Sequence, residues 1–182
     1  MYHYILKSLK FGFWILVPLL FSSNAEVVPI ELVDNHKGNY YFSATGALEE
    51  SLQGKVFFGT STESTNEGIS YASLSLEFLN QDGMESHAIK IIISKHTQLQ
   101  TFKTGQYHVT ENIEGFLNRS EGVFGYVNIN ALSEQPFFSN KGAVVVQQIT
   151  KNEVRGNINV AFASNNGERI LIKGEFHAVK SP

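Results

Sequence analysis

VRGNINVAFAS, residues 154–164, and RILIKGEFHAV, residues 169–179, decide the fold. In the first, Val154, Gly156, Ile158, Val160 and Phe162 share one parity, and Arg155, Asn157, Asn159 and Ala161 share the other. Strict alternation is the mark of a strand with one buried face. Asn165-Asn166-Gly167 separates the two stretches, and a three-residue loop that pairs Ser164 with Glu168 sets Phe162 against Ile170, Val160 against Ile172, Ile158 against Gly174 and Gly156 against Phe176. A two-residue loop would set the apolar parity of one strand against the polar parity of the other, which a half-buried sheet does not tolerate.

The same alternation runs through most of the chain. It is read at 40–46, 51–59, 71–79, 87–94, 105–109, 123–130 and 142–150, between clusters of Gly, Asn, Ser and Asp, and no convincing helix interrupts it. About nine antiparallel strands, mostly in meander order, predict an all-β domain: a curved β-sandwich or a small up-and-down barrel. A second hairpin is read between LSLEFL and HAIKIII, where Asp82-Gly83 suits a two-residue turn. With Gln81 opposite Met84, Leu76 faces Ile89, Leu74 faces Ile91 and Ala72 faces Ile93.

One motif recurs four times: Leu52-x-Gly54-x-Val56, Val123-x-Gly125-x-Val127, Val154-x-Gly156-x-Ile158 and Ile172-x-Gly174-x-Phe176, each glycine on the apolar parity. Inward glycines let strongly coiled strands bend, and an aromatic ring on the neighbouring strand can cover the bared backbone. Phe176 opposite Gly156 fits that device. The alternative is that the glycines make room for a ligand, but a ligand cavity also requires converging polar groups, so curvature is the preferred reading. Residues 105–179, with their Gly-x-Tyr strand and two closing strands carrying Gly-x-Phe, resemble the ending of small exported bacterial β domains of unknown function. The resemblance implies fold and export and brings no catalytic residues.

The first 25 residues read as a secretory signal. Lys7 and Lys10 precede FGFWILVPLLF, which is too short and too broken by Pro18 to cross a bilayer, and Ser23 and Ala25 are the small residues of a cleavage site. Residues 26–38 are then a lead segment and 39–182 one β domain, secreted or periplasmic, with no stable membrane span after processing. Of the 182 residues none is cysteine, which excludes disulfides and thiol chemistry. Acids outnumber Lys and Arg, 17 to 14, and the basic residues are scattered, so nucleic acid is not an expected partner.

Candidate sites are few. The histidines show no metal-ligand spacing, no nucleophile elbow is present, and the acidic pairs Glu49-Glu50 and Glu111 with Glu114 resemble solvated loop neighbours. No enzyme, metal or cofactor is expected. On the polar parity of the last hairpin Arg155 faces His177, Asn157 faces Glu175 and Asn159 faces Lys173: ordinarily a solvated face, alternatively a ligand-binding one. Tryptophan leaves with the signal, so glycan stacking would fall to Tyr40, Tyr41, Tyr71, Tyr107 or Tyr126. GTSTESTNEG (59–68) reads as a mobile polar loop. ALSEQPFFSNKG (131–142) reads as a loop bearing Phe137 and Phe138: extended chain would expose one of them as a contact, but a loop folded over the barrel end and burying both is preferred. The expected function is noncatalytic binding of a small hydrophobic molecule, a glycan or an envelope protein. The alternative is a structural, assembly or adhesion component that docks another protein through a sheet edge or the 131–142 loop.

Overall fold

The computed structural model describes residues 37–64, 70–81, 86–96, 102–110, 121–132 and 135–182. The segment read as a secretory signal, most of the lead segment and the turn expected at Asp82-Gly83 lie outside these residues. Nine strands follow in order: β1 (Asn39–Gly46), β2 (Glu50–Ser64), β3 (Ser70–Asn80), β4 (His87–His96), β5 (Gly105–His108), β6 (Gly122–Ile129), β7 (Phe137–Ile149), β8 (Glu153–Ala163) and β9 (Arg169–Lys180). They form one sheet in the order β5-β7-β6-β4-β3-β2-β1-β9-β8, and β8 pairs back onto β7. Eight strands thus close into an up-and-down barrel. β5 is an addition, antiparallel to the Ala143–Val146 part of β7. No helix among the described residues is long and apolar enough to cross a membrane.

Closure gives every strand an inside, and the alternation assigns it. Tyr40, Phe42, Leu52, Val56, Leu74, Leu76, Ile91, Val127, Val144, Ile158 and Ile172 all point in and are buried. An eight-stranded barrel is just wide enough for its own side chains to fill. Here an aromatic cluster fills part of it: Phe78 lies 5.2 Å from Tyr40, 5.0 Å from Phe42 and 5.6 Å from Phe176 between ring centroids.

The β8–β9 hairpin has the register read from its alternation, Gly156↔Phe176 and Phe162↔Ile170 included. Ser164 N donates to Glu168 O at 3.0 Å, and Gly167 takes φ +85° in the loop. The β3–β4 hairpin keeps its faces but slips by two residues from the expected pairing: Leu76 meets Ile91, Leu74 meets Ile93 and Asn80 meets His87. A slip of two leaves the period-two pattern intact, so alternation cannot detect it. Two further pairs favour the observed register. Phe78 opposes Ile89 where it would otherwise have opposed His87, and Glu77 opposes Lys90, with Nζ to Oε1 at 2.7 Å.

Two segments expected as loops are strand. β2 runs on through Ser64, paired with β3 as far as Ser64↔Ser70, so the described part of GTSTESTNEG is ladder. Its hydroxyls bond across the strands, Ser61 Oγ to Ser73 Oγ at 2.7 Å and Ser64 Oγ to Ser70 Oγ at 3.0 Å, which sustains pairing without apolar burial. β7 begins at Phe137 and carries a bulge between Ser139 and Lys141. One extra residue shifts the parity, so Phe137 and Val144, an odd number of positions apart, both face inward.

The repeated glycines sit where a neighbouring strand comes close. A Cβ built on Gly156 would lie 2.0 Å from Val145 O and 3.0 Å from Phe176 Cζ, and one on Gly174 would lie 2.0 Å from Tyr41 O and 2.8 Å from Phe42 Cδ1. Gly54 and Gly125 are likewise faced by the Tyr40 hydroxyl and the Phe162 ring. Aromatic groups therefore occupy the space that the missing side chains leave, which favours curvature over a ligand cavity.

Candidate functional site

With the inward positions filled, binding chemistry has to be sought on the outer wall. Tyr40 and Tyr41 show why the wall is accessible there: consecutive strand residues face opposite sides, so Tyr40 is wholly buried and Tyr41 is 47% exposed. Tyr40 is thereby removed from the tyrosines available for stacking. Its hydroxyl meets His87 Nε2 at 2.5 Å, and burial pushes its pKa well above the ordinary phenol value, so the phenol stays protonated. Both groups belong to the barrel's interior and rim.

Tyr41 stands in a surface groove of about 630 Å³ formed across β1, β2 and β3. Around it are the amides of Asn39, Gln53 and Gln81, the ammonium of Lys55 and the half-buried ring of Phe57. The register explains the grouping: Tyr41 pairs with Gln53, and Asn39 with Lys55. Lys55 Nζ donates to Asn39 Oδ1 at 2.9 Å, which fixes both side chains along one rim of the groove. An exposed phenol ring beside planar amides offers stacking together with paired donors and acceptors. Nothing in the local alternation marked this groove in advance beyond the Tyr40-Tyr41 doublet, of which one member must face out.

The hairpin residues Arg155, Asn157 and His177 lie on the outer wall in the pairings read from the alternation: Arg155↔His177, Asn157↔Glu175 and Asn159↔Lys173. Their rows continue onto β1, where Tyr41 pairs with Glu175. The face is not uniformly solvated. His177 is 5% exposed and enclosed by polar neighbours: its Nε2 lies 2.8 Å from Glu153 Oε2 and 3.1 Å from Arg155 Nε. One nitrogen serves both contacts, so they alternate: protonated, it donates to Glu153; unprotonated, it accepts from Arg155. The hydrogen bond from His177 holds the Glu153 carboxyl below the usual carboxylate range; burial opposes this, and the charges of His177, Arg155 and Lys37 reinforce it.

Phe137 and Phe138 separate as extended chain requires: Phe137 is 1% exposed, inside the barrel, and Phe138 is 50% exposed. Burial of both under a folded loop, the preferred expectation, is therefore corrected, because this segment is strand. Phe138 pairs with Tyr126, itself 39% exposed, and Phe137 with Val127, and these two pairs are the β6–β7 register. Ser139 Oγ accepts from Gly125 N at 2.8 Å, carrying the seam one step further. Among the described residues no group of three or more His, Asp or Glu side chains is placed to hold a metal ion.

Compared with known protein families, curated proteins and solved structures, the chain matches none, so the resemblance over residues 105–179 rests on its own motifs.

Proposed function

We propose that the chain is an exported, noncatalytic barrel that binds glycans on its outer wall, in the groove centred on Tyr41. The observation that carries this is the exposed Tyr41 ring set among Asn39, Gln53 and Gln81 in a groove of about 630 Å³. Sugars present an apolar C–H face and rims of vicinal hydroxyls. An aromatic ring answers the first, and amide side chains, each donor and acceptor at once, answer the second. A small hydrophobic ligand fits less well, since apolar side chains occupy the barrel's inward positions. Binding of the mature chain to a panel of neutral oligosaccharides, measured by calorimetry, tests the proposal. Tyr41→Ala should weaken binding at least about tenfold, the loss expected of one stacking aromatic. No binding by the wild type, or unchanged binding by the variant, would defeat it. Export has its own test: the secreted chain should begin at Glu26 by mass spectrometry, and a retained Met1 would count against it.

A second function, docking of a partner protein, is favoured by the exposed Phe138 and Tyr126 pair. The sheet-edge route is weaker, because closure into a barrel pairs the long strands on both sides. If that pair is the contact, Phe138→Ser abolishes capture of the partner and leaves glycan binding intact.

A further inference from the structure

The groove at Tyr41 is one end of a longer row. Gln81 lines the groove, Gln53 pairs with Tyr41, Tyr41 with Glu175, and Glu175 with Asn157. Directly paired residues on one face stand side by side, so Gln53, Tyr41, Glu175 and Asn157 cross the outer wall from β2 to β8 in a single line, nearly perpendicular to the strands, with Gln81 in the groove at its near end. Neighbouring strands are about 4.8 Å apart, so the line is about 14 Å long, and each strand-to-strand step is close to the length of one pyranose unit. Its chemistry is consistent along its length: amide, aromatic ring, carboxylate, amide. Each member accepts hydrogen bonds or stacks, and none is a cation. The cationic groups flank the row: Lys55 and Arg155 on one side, where Lys55 is bonded to Asn39 and Arg155 contacts His177, and Lys173 on the other, paired with Asn159 and Ser43.

We infer that the site takes a linear, neutral polysaccharide laid across the strands, about four sugar units at a time, with Tyr41 stacking under a central unit and Asn157 holding the far end. This rests on the glycan assignment of the Tyr41 groove and extends it in two respects. Ligand length follows from the strands crossed before the apolar Val145, which pairs with Asn157, and neutrality follows from the mixed charge of the wall: Glu175 within the row accepts from sugar hydroxyls and repels uronates, while Lys55 and Lys173 beside it repel cationic sugars. Asn157 thereby acquires a role as a length-selecting contact, which its place opposite Glu175 alone would not assign.

The test is calorimetric titration of the mature chain with linear neutral glucans of one to six units, alongside uronate oligomers of the same lengths. Affinity should climb with each added unit to about four and then level off, and the uronate series should bind more weakly. Asn157→Ala, checked for an unchanged melting temperature, should weaken the pentamer about fivefold and leave the dimer as it was. If the dimer binds as tightly as the pentamer, if Asn157→Ala leaves the pentamer unchanged, or if uronates bind equally well, the extended site is wrong while the groove at Tyr41 stands. If no oligosaccharide binds at any length, the groove assignment fails and the extension fails with it.

Discussion

Replacing Gly156 with alanine tests whether the repeated glycine is a device of curvature. The new Cβ would lie 2.0 Å from Val145 O, where ordinary van der Waals contact begins at 3.4 Å, so β7 and β8 must part locally by more than 1 Å. Overpacking of this kind costs about 1–3 kcal/mol. Parting the strands weakens a ladder hydrogen bond beside the Val146/Gln148 bulge, worth about 1 kcal/mol. Reduced freedom of the unfolded chain returns about 0.4–1 kcal/mol. The net loss is about 1–3.5 kcal/mol, which for a domain of this size lowers Tm by about 2–14 °C. Urea and thermal unfolding followed by circular dichroism would measure it. A partner substitution sharpens the test: Phe176→Leu should not rescue Gly156→Ala, because the closest conflict is with the Val145 carbonyl and the ring at 3.0 Å is second. A variant as stable as the wild type that has lost glycan binding would refute the reasoning and make Gly156 part of a binding site. Rescue by Phe176→Leu would show that the ring, and not the backbone, sets the limit.

Phe137→Ala should cost about 3–5 kcal/mol in urea unfolding, as a buried ring is deleted where β6 and β7 meet, whereas Phe138→Ser should stay within about 0.5 kcal/mol. Glu153 has a folded-state pKa below its unfolded value, so its contribution is present above the unfolded carboxylate pKa and is lost as pH falls through the folded one. Glu153→Gln should therefore flatten the acid limb of the stability curve and leave its alkaline limb unchanged; parallel acid limbs would contradict the His177 hydrogen bond. The Ser94 hydroxyl is buried without a hydrogen-bond partner, so Ser94→Ala should hold stability constant or raise it by up to about 1 kcal/mol in the same unfolding assay.

How much of the molecule could be read beforehand depends on which physical signal each feature leaves in the chain. Faces are written locally: each strand's inward set follows from period two, and the β8–β9 hairpin gained its register as well because loop parity and apolar parity agreed at Asn165-Asn166-Gly167. At β3–β4 the same logic produced a pairing two residues off, since a slip of two preserves every face. Only particular pairs distinguish such registers, here Phe78 with Ile89 and Glu77 with Lys90, so cross-strand charge deserves equal weight with turn composition. The β7 bulge hid Phe137 and Phe138 for a related reason. An inserted residue breaks alternation, and broken alternation looks like a loop even when hydrogen bonding continues on both sides of it.

The candidate site was least legible because it is a property of rows, not of strands. Tyr41, Gln53, Glu175 and Asn157 come from four separate stretches, and within each stretch the outward residue looks like ordinary polar surface. They become neighbours only once β1 is known to lie between β2 and β9, a closure contact between the two ends of the barrel. Local alternation did identify Asn157 opposite Glu175, the half of the row formed within one hairpin. Tyr41 enters only through the long-range β1–β9 pairing, and it is the pairing of first strand with last that gives this wall its continuous line of amide, aromatic and carboxylate groups.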